Sequence, residues 1–122
     1  MIIEQRTYRL RPGAMAAYLE AVETLGLPLL KPILGGFVGY FRSELGPLED
    51  VVHLWAYESL ADRAARRKRL AEHPDWPRFT AAVNPLLERM ESRILTPASF
   101  TPLTLEAVRA LGNVTMTPRA PF

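Results

Sequence analysis

His53 lies in the part of the chain whose residue types are best suited to chemistry. From Val51 onward, alternation predicts a strand with aliphatic side chains on one face and larger ones on the other; the second face carries Val51, His53, Trp55 and Tyr57. Because histidine titrates near neutral pH, His53 is a candidate general base or haem ligand. The alternative is a hydrogen-bonded structural histidine, which we favour because no second histidine shares the strand.

Polar residues on the other predicted strands are candidates for the same site. Arg6 and Tyr8 alternate on the first strand, and Glu44 ends the second. Partly buried groups of this kind must pair, either in a structural network of Arg6 with Glu44 or Glu4, or around a small anionic or carbonyl ligand. An antiparallel sheet brings such faces side by side. We therefore predict one ligand-binding spot at the open end of a barrel, formed by Arg6, Tyr8, Glu44, His53, Trp55 and Tyr57.

Composition excludes several classes of site. The chain has 122 residues, no cysteine and two histidines, which excludes disulfides, thiolate zinc sites and cysteine nucleophiles. His53 and His73 lack the spacing of a helical metal motif, so we predict no metal and no cofactor. The formal net charge is only +2, and the densest basic run, residues 63–69, contains no aromatic residue. We interpret that run as a solvated helix face and predict no nucleic-acid partner.

Periodicity predicts the first half of the fold. Strands are predicted over residues 2–10 and 37–44 and from Val51 onward, with the last two joined as a hairpin. Helical spacing predicts a first helix over residues 15–25, stopped by Gly26 and Pro28, and then an apolar connector over residues 29–34.

The second half is predicted from caps and breakers. Ser59 and Asp62 form a capping box for a helix over residues 60–71. A further helical stripe runs from residue 76, capped by Asp75, to residue 90, with a kink or break expected at Pro85. A short strand over residues 92–96 follows, and a short helix over residues 105–111 lies in a proline-rich C-terminal arm.

This order, βαββαβ, predicts an α+β, ferredoxin-like fold: a four-stranded antiparallel sheet with helices on one face. We expect the ferredoxin-like domain to span residues 1–100 and the arm residues 101–122. The uncovered face is predicted to carry the aromatic side chains of the third strand, and a second copy packed sheet to sheet would cover them. The alternative is that the arm folds back over its own sheet.

Several short motifs together resemble the NIPSNAP family over about residues 2–100. These are the R-x-Y strand closing at Pro-Gly (residues 6–13), the E-x-G-P-L turn (residues 44–48), V-H-x-W-x-Y (residues 52–57) and S-x-x-D-R (residues 59–63). Glu49 stands where the family commonly has Asn. The resemblance implies a dimeric α+β barrel. Related barrels include cofactor-free monooxygenases, isomerases and haem-degrading proteins, and a shared fold does not establish a function.

The predicted function is therefore that of a NIPSNAP-like homodimeric barrel that binds a small, partly apolar ligand or serves as an interaction module. The alternative is an enzyme of the cofactor-free monooxygenase or isomerase kind, with His53 as base and with Arg6 and Tyr8 orienting the substrate. No apolar run approaches the roughly 18 residues that span a bilayer, and no targeting segment is recognised at the N-terminus. We expect no membrane span and a cytoplasmic location.

Overall fold

The sheet predicted from the sequence is present in the structure, a computed structural model that describes residues 1–112. Its strands are β1 (Ile2–Leu10), β2 (Phe37–Arg42), β3 (Asp50–Tyr57) and β4 (Leu87–Leu95). Neighbouring strands are antiparallel in the order β2-β3-β1-β4. The fold is therefore α+β and ferredoxin-like, as predicted, and Arg42 and Leu95 end the second and fourth strands earlier than expected.

A longer helical segment than predicted joins β1 to β2. Helix α1 (Met15–Ala21) continues through a π-helical turn (Val22–Gly26) into α2 (Leu27–Leu34). Gly26 and Pro28 were predicted to stop the helix, and that prediction was wrong because Pro28 occupies the first turn of α2, where proline is tolerated. The predicted connector is thus helical, and Gly35, with φ of 79°, ends α2 in the left-handed conformation.

Two caps fix the starts of the helices that flank the sheet. The predicted capping box of α3 (Leu60–Glu72) is confirmed, since the Asp62 backbone N–H donates to Ser59 Oγ at 3.0 Å. Helix α1 lacks a cap from its own preceding residue. Instead the Glu49 carboxylate, from the β2–β3 loop, accepts from the backbone N–H groups of Gly13 and Met15 at 3.1 Å each.

The expected break at Pro85 is confirmed, and the chain changes there from helix to strand. Helix α4 (Trp76–Val83) ends there, a single 3₁₀ turn (Asn84–Leu86) follows, and β4 begins at Leu87. The predicted helical stripe to Met90 and the later strand start were therefore wrong, because β4 pairs with β1 along nearly its whole length. Asp75 also makes no side-chain cap to α4.

Helices α1 to α4 cover the face of the sheet that carries the aromatic residues. Trp55 and Tyr57 are at most 1% exposed in the main core, packed with α1–α4 residues such as Tyr18, Leu30 and Phe79. The prediction that this face lies open was wrong, because alternation defines two faces and does not say which one the helices cover.

The opposite face of the sheet is partly covered by the C-terminal arm. Helix α5 (Leu105–Gly112) places Val108, 3% exposed, against Ile3 and Ala56. The alternative in which the arm folds back over its own sheet is therefore seen for residues 105–112. The rest of the predicted arm, residues 113–122, lies outside the described residues, and the division of the chain at residue 100 stays a prediction.

Candidate functional site

A polar row crosses all four strands on the helix-covered face. Strand pairing places Tyr40 of β2 opposite His53 of β3, His53 opposite Arg6 of β1, and Arg6 opposite Ser92 of β4. Such a row is unusual beneath a helix layer, since buried polar groups must find partners. Its members and their neighbours form the candidate site.

Glu4 is the charged centre at one end of this site. Its side chain is fully buried and accepts hydrogen bonds from Arg6 at 3.0 Å, from Arg63 at 2.8 and 3.0 Å, and from the Ser92 hydroxyl at 2.6 Å. Burial alone would raise the pKa of Glu4, but the hydrogen bonds from Arg63 and Ser92 and the two positive charges lower it to about 2. Of the two predicted structural networks, the one with Glu4 is present.

His53 is held in one tautomer by its neighbour on the strand. The Trp55 Nε1–H donates to His53 Nδ1 at 2.8 Å. Because an indole nitrogen only donates, Nδ1 must carry a lone pair, and the proton of the neutral ring lies on Nε2. His53 is 4% exposed, and its Nε2 has no hydrogen-bond partner among the described residues.

The charge state of His53 follows from its surroundings. Burial, followed by the positive charges of Arg6 and Arg67, lowers the pKa of His53 to about 3, with the Glu4 carboxylate acting in the opposite direction. A neutral ring with a proton on Nε2 is a hydrogen-bond donor. In this arrangement His53 is therefore suited to donate to a ligand oxygen and poorly suited to accept a proton as a base.

Two tyrosines contact the His53 ring, and a third, Tyr18, lies against Tyr8 with ring centroids 6.5 Å apart. Tyr40 stacks on the His53 ring with centroids 4.3 Å apart, and Tyr8 meets the same ring edge-on at 4.8 Å. The Tyr8 hydroxyl accepts from Arg6 Nε at 2.7 Å. Burial raises the pKa of Tyr18 and of Tyr40, so both hydroxyls remain protonated at neutral pH.

These groups form the polar end of a cavity of about 430 Å³ between the sheet and the helices. That volume lies within the range of small-molecule sites. The other end is mostly apolar and is built from α4, the 3₁₀ turn and β4, with Thr80 and Asn84 as its polar members; its apolar lining includes Trp76, Phe79, Val83, Leu87 and Met90. Met90 is 56% exposed and Asn84 is also exposed, so the cavity opens where α4 gives way to β4.

The predicted site residues are distributed unevenly around this cavity. Arg6, Tyr8, His53 and Trp55 line it. Tyr57 is fully buried on the same strand face but does not line the cavity, and burial, reinforced by the Glu4 charge, raises its pKa to about 12. Glu44 is exposed in the β2–β3 loop, away from the cavity.

Comparison with known proteins identifies the family. The NIPSNAP family model matches residues 3–102, which is most of the chain. This chain belongs to the NIPSNAP family. A NipSnap protein of Drosophila melanogaster is 36% identical over 101 residues, covering 83% of this chain and 36% of that protein, and one of Dictyostelium discoideum is 38% identical over 98 residues, covering 80% and 43%. The matched part of this chain thus spans 36–43% of the length of those curated relatives.

A solved structure matches this chain over nearly its own full length. A NIPSNAP family protein of unknown function from Agrobacterium tumefaciens is 49% identical, covers 85% of this chain and 94% of its own, and superposes with a TM-score of 0.83. A cofactor-independent oxygenase from Streptomyces nogalater, 13% identical, reaches a TM-score of 0.54 over 84% of this chain and 97% of its own, which shows a shared fold alone.

Several residues of the candidate site were not predicted from the sequence. Arg67, Tyr18 and the apolar lining from α4 all reach the cavity from the helix layer. Arg63 and Arg67 lie four residues apart on one face of α3, next to the buried Leu70, and that spacing is the signal that places them toward the sheet. The basic run is therefore only partly a solvated face: Arg66 also donates to the Ile33 carbonyl at 3.1 Å.

Two classes of feature are absent from the described part of the NIPSNAP chain. Within residues 1–112 no group of three histidine or acidic side chains is arranged to hold a metal ion. In the same range no helix has the length and apolar character needed to cross a membrane.

Proposed function

We propose that this chain is a NIPSNAP barrel domain that binds a small, partly apolar molecule in the cavity between its sheet and its helices. The observation that carries this proposal is His53, buried at the polar end of the cavity with an unpaired Nε2. A buried donor without a partner costs about 1–3 kcal/mol, and a core selected only for stability would contain neither that donor nor a cavity of this size. A bound molecule would supply the missing acceptor.

The alternative role as a pure interaction module is less well supported by this arrangement. Such a module requires no internal space, and side chains would fill its core to ordinary packing density. The cavity instead combines an apolar wall with a few converging polar groups, as small-molecule sites do.

Native mass spectrometry of the purified protein tests the proposal. We expect a retained molecule in the wild type and in an Ala81→Trp variant, which changes an exposed residue of α4. A Thr80→Trp variant should lack it, because Thr80 is the neighbouring residue that lines the cavity. A protein that retains nothing, and whose tryptophan fluorescence does not respond to the uncharged amphiphile decanamide, would contradict ligand binding.

The homodimer is part of the same proposal, with a revised physical basis. On the face opposite the helices, Phe41 is 55% exposed, and Leu95 at the β4 edge is 38% exposed. A second copy covering this face would remove both from water. Light scattering at micromolar concentration should give about twice the chain mass; a stable monomer would refute the dimer and leave ligand binding untouched.

An enzyme of the cofactor-free monooxygenase or isomerase kind is the second candidate. The observation that favours it is that Arg6 and His53 line the same cavity; the Arg6 guanidinium and the His53 Nε2–H are groups that could stabilise negative charge developing on a substrate oxygen. In that role His53 donates a hydrogen bond and is not the base. Incubating the retained molecule with the protein in air and finding it chemically unchanged would count against catalysis.

A further inference from the structure

We infer that the ligand of the cavity is a small apolar carboxylate, whose anionic head lies among Arg6, Arg67 and the His53 Nε2–H. This inference rests on the proposed function and adds the charge and orientation of the ligand. The head group would occupy the sheet end of the cavity, and the apolar body would extend toward α4 and β4.

The charged residues around the cavity favour an anionic ligand. Within the described part of the chain, the cavity lining contains Arg6 and Arg67 and no acidic residue. The nearby carboxylate of Glu4 is buried and is already shared between Arg6 and Arg63. Among residues 1–112, no carboxylate lies within 4.0 Å of the Arg67 guanidinium, so the cavity has an excess of positive charge. Attraction for an anion is stronger in such a partly dry site than in water.

The hydrogen-bonding groups at the polar end of the cavity favour a ligand that only accepts hydrogen bonds. The Trp55 indole fixes His53 as a donor at Nε2, and that donor has no partner among the described residues. Carboxylate oxygens only accept, and each can accept more than one hydrogen bond. A ligand without an acceptor would leave the Nε2–H unpaired, and an uncharged head group would give the half-buried Arg67 no countercharge, whereas a carboxylate supplies both an acceptor and a countercharge.

The apolar wall at the other end of the cavity limits the chemistry of the rest of the ligand. Phe79 and Val83 are at most 6% exposed, and with Trp76, Leu87 and Met90 they offer the body of the ligand no charged partner. The Thr80 hydroxyl in this wall already donates to the Pro77 carbonyl at 3.2 Å, and Asn84 lies at the exposed opening. Polar substituents along the deeper part of the ligand body would therefore be desolvated without a free donor to compensate them. The chemical class is therefore a monocarboxylate with a hydrocarbon body, and a polyanion such as a nucleotide does not fit.

Fluorescence titration of the full chain tests the inference, since both tryptophans, Trp55 and Trp76, line the cavity. The probes are decanoate and its uncharged counterpart decanamide at pH 7. We expect decanoate to bind about tenfold or more tightly than decanamide, because a hydrogen-bonded charge adds affinity that a neutral head group lacks.

Three variants separate the cavity charge from general charge effects. Arg67→Met should abolish the preference for decanoate and leave decanamide binding nearly unchanged, whereas Arg67→Lys should retain most of the preference. Lys68→Met removes an adjacent charge that is 77% exposed and should change neither affinity. Circular dichroism confirms that each variant is folded.

The outcomes separate this inference from the proposed function. Equal binding of decanoate and decanamide would overturn the carboxylate inference and leave ligand binding intact. The same holds if Arg67→Met weakens both probes equally, or if Lys68→Met reduces the preference as strongly as Arg67→Met. If neither probe binds but native mass spectrometry finds a retained molecule, the carboxylate inference alone fails. If neither probe binds and no molecule is retained, the inference and the proposed cavity function fail together.

Discussion

Replacing Glu4 by Gln is the sharpest test of how the polar row is stabilised. Gln keeps the shape of the side chain but removes the charge shared by Arg6 and Arg63. The pKa of Glu4 is about 2 in the folded protein and 4.5 without the fold, a difference worth about 3 kcal/mol of stability at neutral pH. Because Glu4 is fully buried, solvent screening does not reduce that figure much. We expect Glu4→Gln to lower the free energy of unfolding by about 3 kcal/mol at pH 7.

The pH dependence gives the prediction a second, independent readout. The folded pKa of Glu4 is depressed, so its contribution is present above pH 4.5 and is lost as the pH falls toward 2. The stability gap between wild type and Glu4→Gln should therefore narrow by about 1 kcal/mol at pH 4 and about 2 kcal/mol at pH 3, measured by urea denaturation. Glu44→Gln, which changes an exposed glutamate, is the control and should match wild type throughout. A gap below about 0.5 kcal/mol at pH 7, or one that does not change with pH, would refute the reasoning.

Three further perturbations test other parts of the structure. Gly36→Ala should abolish folding, detected by loss of the thermal transition, because a Cβ there would lie 1.9 Å from the Ala56 carbonyl oxygen. Glu49→Ala should cost about 1 kcal/mol in urea denaturation by removing the cap of α1; no cost would mean that water replaces the carboxylate. With its folded pKa near 3, His53 opposes folding below pH 6.5, so stability should fall by about 2 kcal/mol from pH 6.5 to 5 in the wild type and stay nearly flat in His53→Phe.

The sequence was sufficient to predict which strand residues of the site lie together, but not which face of the sheet the helices cover. Alternation put Arg6 and Tyr8 on one face of β1 and His53 and Trp55 on one face of β3, and the observed register brings those two faces together. Which face the helices cover depends on side chains outside the strands. Arg63 of α3 reaches Glu4, and a buried carboxylate on a strand requires such a partner from the covering layer.

Tertiary packing overrode local signals in the helical segments. Gly26 and Pro28 indicate a break when the sequence is taken alone, yet the helical segment continues into α2, which contains Pro28 and also Pro32. Its residues Leu29, Leu30 and Leu34 are buried in the core, and burial of this kind, about 1.5–3 kcal/mol per side chain, exceeds the cost of local propensity. The cavity itself could not be predicted, because it is the space left when α4 ends at Val83 and β4 begins at Leu87.

The hydrogen bond between Trp55 and His53 couples the two side chains, so a change at His53 affects both the stability of the fold and the binding of a ligand. Phe at position 53 would remove the unpaired Nε2–H but would leave the buried Trp55 Nε1–H without its acceptor. A single substitution thus exchanges one unpaired donor for another, each costing about 1–3 kcal/mol. A ligand oxygen that accepts from Nε2 removes the cost without creating another. Because such a ligand binds only the folded state, saturation with it should raise the stability of the chain, and a carboxylate should do so more than its uncharged counterpart at equal concentration.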